Sequence, residues 1–428
     1  MPKNMIETDS PVQRFVLFAA ESEDAQISAE SSLDELSELL YTAGGEYAGR
    51  VIQKRESIHP RTYLGSGKVE ELRALIAETS ADGAICDDEL SPAQIKELGE
   101  LLGVKVLDRT LLILDIFTQR ANTREGMLQV ELAQLNYRLT RLTGLGTELS
   151  RQGGSTGAAK TRGAGETKLE LDRRYIRRRI DQLNRELKEV EAQRALLRKN
   201  REGGSLPIAA LVGYTNAGKS TLFNKLTAAG VLEEDKLFAT LDTTVRGAVL
   251  PGGRRVLLTD TVGFIHKLPH HLVKAFRATL EEAAFADVLI HVIDNSDPEA
   301  AMQASVTAET LRELGAGDKP LIAVLNKEDL RTPEMDSCLL PYQAEEVLRI
   351  SALSDDGPAR VLEALERVLA KAEEEVEVLL PYGEGGLLSE LHQNAQVLAE
   401  EYLAEGVSVR ARVAKNGKIY GKLKRFLK

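Results

Sequence analysis

Gly213-Tyr214-Thr215-Asn216-Ala217-Gly218-Lys219-Ser220 is a complete GxxxxGK[ST] phosphate loop, and its surroundings place it in a fold. An apolar run at residues 207–212 precedes it and an amphipathic stretch, residues 219–226, follows, so the loop reads as a strand-to-helix turn. Phosphate binding needs that setting. Glycines let successive backbone N–H groups converge on phosphate oxygens, and the helix N-terminus adds partial positive charge. In such a loop Lys219 reaches the β- and γ-phosphates and the Ser220 hydroxyl ligates Mg²⁺, with Thr221 beside it in the phosphate-contacting set.

Further along, Asp260-Thr261-Val262-Gly263 ends another apolar run. There Asp260 is positioned to meet Mg²⁺ through water, and the Gly263 N–H to sense a γ-phosphate. Asn326-Lys327-Glu328-Asp329 again follows a strand-like run, at the end where open α/β sheets gather ligand contacts. The Asp329 carboxylate can accept from both N1–H and the exocyclic amine of guanine, an arrangement adenine lacks. Ser351-Ala352-Leu353 supplies a backbone N–H for the guanine O6. The order and spacing of these motifs imply a GTPase.

Between the first two motifs lies a switch segment, Phe238-Ala239-Thr240-Leu241-Asp242-Thr243-Thr244. One of its threonines should ligate Mg²⁺ while the γ-phosphate is present. Thr240 is the choice, and spacing alone leaves Thr243 and Thr244 open. Lys219, Thr240 and Gly263 are then the expected catalytic set, with Ser220 and Thr240 on the metal. Phe264 stands where many GTPases place a glutamine that orients water, so unaided hydrolysis should be slow. Either a partner or a monovalent cation completes the site. Asn216 is suited to holding K⁺ near the phosphates, or equally to stabilising its own loop. His266, His270 and His271 read as part of a solvated switch helix rather than as catalysts.

A chain of 428 residues has room for two or three domains, and 43% hydrophobic with 28% charged residues describes ordinary globular material. Cys86 and Cys338, far apart, argue against a disulfide framework and suit a reducing cytosol. No apolar run approaches the ~18 residues of a membrane span, and the first residues lack the apolar core of a signal peptide. A cytoplasmic monomer without stable membrane association is expected. The net charge of −11 conceals an uneven distribution: the first residues are acidic, whereas residues 173–179 and the C-terminus from Val407 are strongly basic.

The fold class expected is a multidomain α/β protein. Residues 1–122 should form an N-terminal α/β domain, with strands at 14–19, 47–52, 84–86 and 104–107 and helices at 33–40, 69–77, 92–102 and 110–120. Its sheet should be mainly parallel. Within it, Gly65-Ser66-Gly67-Lys68 reads as a helix start more simply than as a second phosphate cradle. Residues 123–205 carry two heptad runs, Leu128, Leu132, Leu135, Leu139, Leu142 and then Ile176, Ile180, Leu183, Leu187, Val190. They predict an antiparallel helical hairpin whose first helix, about 18 residues, would reach roughly 27 Å. Its tip, residues 144–165, is glycine-rich and basic, with Arg151, Gly153, Gly154, Gly157, Lys160, Arg162, Gly163 and Gly165.

Residues 206–373 form the P-loop GTPase domain, with further strands at 256–259, 288–293, 321–325 and 348–350. Residues 374–428 read as a small α+β domain: strand 376–380, helix 387–402, strand 407–413 and a final basic strand.

Some segments are more specific than any generic motif. Thr161-Arg162-Gly163-Ala164-Gly165-Glu166-Thr167-Lys168-Leu169-Glu170, running into Asp172-Arg173-Arg174, resembles the GxGET-x-LE-x-DRR signature of the HflX family of ribosome-associated GTPases. Residues 238–242 resemble its FATLD switch and residues 260–264 its DTVGF. His59-Pro60 with Gly65-Ser66-Gly67-Lys68-Val69-Glu70-Glu71-Leu72 resembles its N-terminal block. One departure is that Thr243 follows Asp242, where the family commonly has proline.

The resemblance implies binding to the large ribosomal subunit, both rRNA and proteins, favoured by GTP. It also implies splitting or rescue of stalled ribosomes under stress, with ribosome-stimulated hydrolysis. The basic C-terminus would then be either a ribosome contact or a set of lysines protecting a sheet edge. A second reading is a GTPase accessory to RNA modification or ribosome assembly. The modification role would need a nucleophile or cofactor site outside residues 206–371, and neither cysteine has an evident histidine partner. A signalling GTPase acting only on protein is disfavoured by the basic hairpin.

Overall fold

The structure, a computed structural model, describes residues 12–22, 27–55, 57–152, 164–201, 206–227, 237–238, 244–267, 282–332, 338–371, 373–414 and 418–427. It divides into two compact units, Met1–Glu186 with Lys267–Ala275, and Leu187–His266 with Phe276–Lys428.

In the first unit the unbroken apolar run becomes β1 (Arg14–Glu21), buried on both faces from Phe15 to Ala19. Such a strand belongs in the middle of a helix-covered parallel sheet. It lies between β2 (Glu46–Lys54) and β3 (Gly83–Cys86), with β4 (Lys105–Asp108) beyond β3, every pairing parallel. Helices α1 (Ala29–Thr42) and α4 (Arg109–Arg120) pack together, as do α2 (Ser66–Thr79) and α3 (Pro92–Leu102). Leu72, Ile76 and Leu98 share a core with Val16, Phe18 and Val51. Helix α3 begins where its sequence says it should, with Ser91 and Gln94 forming a capping box around Pro92. Gly65 precedes α2, and Lys68 pairs with Glu71 at 2.8 Å, an ordinary helix start.

Charges gather where β3 and β4 end. Arg109, 1% exposed, meets Asp87 at 2.8 Å and also Glu35, and the Ser32 hydroxyl donates to Asp87 at 2.7 Å. Lys267 lies 2.5 Å from Asp87 and 2.6 Å from Asp88. Burial pushes the Asp87 carboxyl up while Lys267 and Ser32 pull it down, so these partners keep the site tolerable for an anion.

Helix α5 (Arg124–Gln152) is fastened to the end of β4, because Tyr137 and Arg141 both donate to Asp108, at 2.7 and 2.6 Å. Helix α6 (Ala164–Arg201) returns alongside it. Arg179 meets Glu131 bidentately at 2.7 and 2.8 Å, and Arg173 donates to the Leu142 carbonyl at 2.6 Å. These pairings advance along one helix as they retreat along the other, so the hairpin is antiparallel. Its first helix, of 29 residues, is longer than the heptads alone suggested and spans about 43 Å. The helix runs on through Gly144 and Gly146, each costing about 1 kcal/mol relative to alanine. The rest of the basic tip, residues 153–163, lies outside the described residues.

The second unit holds a sheet of order β10-β9-β8-β5-β7-β6. Its strands are β5 (Ile208–Gly213), β6 (Thr244–Val249), β7 (Arg255–Asp260), β8 (Val288–Asp294), β9 (Leu321–Asn326) and β10 (Glu346–Arg349). Only β6 is antiparallel to its neighbour. Helices α7 (Lys219–Thr227) and α9 (Asp356–Lys371) bury Leu222, Phe223, Val361 and Leu365 against Leu211, Ile290 and Val324. Helix α8 (Ala300–Glu313) places Ala300 and Ala304 beside Ile293 and Leu325.

The C-terminal piece corrects the sequence reading. β11 (Glu373–Leu380) and β13 (Gly406–Ala414) fall where strands were expected, but the anticipated helix over 387–402 stops early. Helix α10 covers Gly385–Asn394, and Gln396–Leu403 form β12, antiparallel to β13. Leu, Ala and Glu favour helix locally, yet pairing with β13 supplies a full ladder of backbone partners and wins. The expected final strand is instead α11 (Lys418–Leu423), whose Ile419 and Leu423, four apart, both enter the core under the sheet.

Candidate nucleotide-binding site

The phosphate loop leaves the end of β5, a central strand between β7 and β8. Its backbone demands particular residues. Gly218 sits at φ +91°, and a Cβ there would lie 2.3 Å from Asn326 Nδ2. Asn216 is also left-handed, at φ +58°, which asparagine tolerates better than most residues, and its side chain is exposed. Lys219 is buried and donates to the Tyr214 carbonyl at 2.6 Å. Burial pushes its ammonium down to about 8, with the Asp260 carboxylate pulling the other way. The Ser220 hydroxyl donates to Asp260 at 2.9 Å, so two oxygen donors meet at the strand ends.

The DxxG segment is laced onto the phosphate loop. The Phe264 N–H donates to the Gly213 carbonyl at 3.0 Å, and the Thr215 N–H to the Phe264 carbonyl at 2.8 Å. The His266 N–H then donates to the Tyr214 hydroxyl at 2.7 Å. Gly263 is pressed against this surface, where an added Cβ would lie 2.8 Å from Thr215 Cγ2 and 3.0 Å from Lys219 Nζ. The Thr261 hydroxyl donates to the Leu211 carbonyl at 2.6 Å, and Val262 is buried. Phe264 is itself buried and packs into the core.

Asn326 ties three motifs together. Its Nδ2 donates to the Ala217 carbonyl at 2.9 Å and its Oδ1 accepts from the Ala352 N–H at 2.8 Å. Lys327, at φ +59°, reaches Asp294 at 2.7 Å. Asp329 is exposed in the short turn Glu328–Leu330, and Ser351 and Leu353 flank the buried Ala352. Phe238 is buried, at φ +54°. Ala239, Thr240, Leu241, Asp242 and Thr243 lie outside the described residues, as do His270 and His271, while Thr244 opens β6. His266 is half-buried rather than solvated.

Three participants escaped the sequence reading. Asp294 and Asn295 lie at the end of β8 next to Asn326. Asn295 Nδ2 donates to Glu328 at 2.6 Å. Their signal was available, since they close an apolar run at the same sheet edge as the quoted motifs. Buried His291, whose Nδ1 pairs with the Tyr342 hydroxyl, gave no such signal. Burial and the Lys219 charge push its imidazole down to about 3.

A mainly parallel sheet with a phosphate loop after its central strand, DxxG after the neighbouring strand β7 and NKxD after β9 defines a P-loop GTPase, an enzyme that hydrolyses GTP to GDP and phosphate. Family models described as the GTP-binding GTPase N-terminal, the GTP-binding GTPase middle region and the 50S ribosome-binding GTPase match residues 30–118, 120–201 and 208–327. The GTPase HflX of Lacrimispora saccharolytica is 50% identical over 96% of this chain and 95% of its own length. That of Caldanaerobacter subterraneus is 50% identical over 90% and 88%, and that of Escherichia coli 41% over 89% of each. The chain belongs to the HflX family of GTPases. Among the described residues no helix is long and apolar enough to cross a membrane.

Proposed function

We propose that this GTPase binds the large ribosomal subunit in its GTP state, splits or rescues stalled ribosomes under stress, and is released when ribosome-stimulated hydrolysis yields GDP. The observation carrying this reading is the antiparallel hairpin of α5 and α6, whose second helix is arginine-rich and whose connecting sequence is basic and glycine-rich, in the same chain as a GTPase domain. The matching family description, a 50S ribosome-binding GTPase, supports it. Cytoplasmic placement and a monomeric state follow from the same reading.

Within the site, residues 213–221 cradle the phosphates, and Asn326, Lys327, Asp329 and residues 351–353 hold guanine. The Ser220–Asp260 pair provides oxygen donors suited to a hard cation. Ser220 and Thr240 would hold Mg²⁺, which would supply positive charge to neutralise the phosphates. Gly263, held against Thr215 and Lys219, would offer its N–H to the γ-phosphate. Phe264 contributes no polar group to a water, so stimulation comes from the ribosome, with Asn216 free to hold K⁺ beside the phosphates.

Co-sedimentation with purified large subunits, comparing a non-hydrolysable GTP analogue with GDP, tests the proposal. Enrichment in the pellet with the analogue is expected. Absence from the pellet in both states overturns it.

A further inference from the structure

The hairpin divides the arginine run into residues that hold the fold and residues that do not. Arg173 is spent on the Leu142 carbonyl and Arg179 on the Glu131 carboxylate, both toward α5. Arg174 is engaged only at the surface, 3.3 Å from Glu170, with both side chains largely solvated. Such a pair is readily exchanged for a phosphate. Arg177 and Arg178 are exposed and have no hydrogen-bond or ion-pair partner among the described residues.

Helical spacing arranges what is left. Ile176 and Leu183 turn inward and are buried. Leu171, Arg174, Tyr175 and Arg178 fall at i, i+3, i+4 and i+7, a continuous stripe on the outer side. Tyr175 is 72% exposed and Leu171 63% exposed, one turn apart on a helix otherwise rich in charge. A single exposed apolar side chain is unremarkable, but an aromatic face with an aliphatic floor and flanking guanidinium groups is the composition that receives an unpaired base. The ring offers a stacking surface indifferent to base identity, and Arg174 and Arg178 offer cations for the adjoining phosphates.

We propose that Tyr175 is a base-stacking residue and that, with Leu171, Arg174 and Arg178, it forms an RNA-binding face on the outer side of α6. The partner is single-stranded or looped-out RNA. This rests on the ribosome-binding reading above and adds to it a second contact, on the body of the hairpin rather than at its tip. Charge favours RNA over a protein partner, because Arg178 faces solvent with no carboxylate partner among the described residues and Arg174 has only the solvated Glu170.

The chain contains no tryptophan, so Tyr175→Trp installs a sole indole reporter at the proposed stacking point. Deproteinised large-subunit RNA and intact large subunits serve as probes, with the non-hydrolysable GTP analogue present. Quenching of the Tyr175→Trp emission by both probes is expected. Tyr175→Ala should weaken RNA binding about tenfold while Tyr175→Phe binds as wild type, since stacking needs the ring and not the hydroxyl. Arg178→Ala should lower the salt dependence of binding by about one phosphate contact. Tyr41→Ala, an equally exposed tyrosine on α1, should change nothing.

Unquenched emission, or unaltered RNA affinity for Tyr175→Ala, overturns the proposal. So does equal impairment of Tyr175→Ala and Tyr175→Phe. Loss of subunit binding by Tyr175→Ala with unaltered binding to deproteinised RNA would assign the face to a ribosomal protein instead. If the wild-type chain sediments with subunits whatever Tyr175 becomes, the ribosome reading stands and this one falls. If it binds neither probe, both fall.

Discussion

At the scale of single residues, two buried bases, both with pKa values lowered by burial, make the protein respond to pH in two different ways. The Lys219 ammonium, held near 8 by burial, is about half protonated at pH 8, and phosphates placed beside it restore the proton. Nucleotide binding at pH 8 should therefore take up about half a proton, declining toward zero by pH 7. Calorimetric titration with GDP in two buffers of different ionisation heat measures this directly; zero uptake at pH 8 would refute it. His291 works on stability instead. Its folded value, about 3, lies below the unfolded 6.5, so between these limits the unfolded chain binds more protons. Stability from this group is complete above pH 6.5 and is lost as pH falls toward 3, about 2 kcal/mol of it by pH 5. Urea denaturation of wild type and His291→Gln at pH 7.5 and pH 5 should show the extra acid loss only in the wild type.

At the scale of elements, packing should hold the hairpin more than its ion pairs do. Leu183 of α6 is fully buried, and Leu183→Ala should cost about 2–5 kcal/mol. Glu131→Ala, which removes the partly solvated bidentate pair with Arg179, should leave the denaturation midpoint nearly unchanged. A larger effect from Glu131→Ala than from Leu183→Ala would reverse that ranking. The elements also differ in how plainly their sequences announce them. β1 was legible because residues 15–19 are apolar without interruption. β6 was not, because it is an edge strand whose Val245 and Val249 face solvent and whose Gly247 breaks the alternation. β12 was read as helix because Gln396–Leu403 is rich in helix-forming residues, and only its partner β13 decides otherwise. In the site, motif residues could be quoted in advance because spacing encodes them. The Tyr214–His266 and Lys327–Asp294 contacts could not, because they depend on which strand ends the sheet brings side by side.

At the scale of the whole molecule, the two units have separate reasons to be stable. The first contains a parallel sheet with its own core and, at the ends of β3 and β4, the buried network around Asp87. The second contains the core beneath α7 and α9 and every motif proposed to meet the nucleotide. Separate cores predict separate cooperative transitions rather than one. Asp87→Ala would leave Arg109, 1% exposed, with Glu35 as a remaining carboxylate, so the loss borne by the first unit should stay below the roughly 3–5 kcal/mol of a fully orphaned buried charge. GDP binds only the folded second unit and should raise its transition, by about 2.7 kcal/mol at a concentration a hundredfold above Kd. Differential scanning calorimetry of wild type and Asp87→Ala, each with and without GDP, separates the two effects. The variant should lower one endotherm and the nucleotide should raise the other. If GDP instead moved both endotherms together, and Asp87→Ala did the same, the units would be unfolding as one cooperative body.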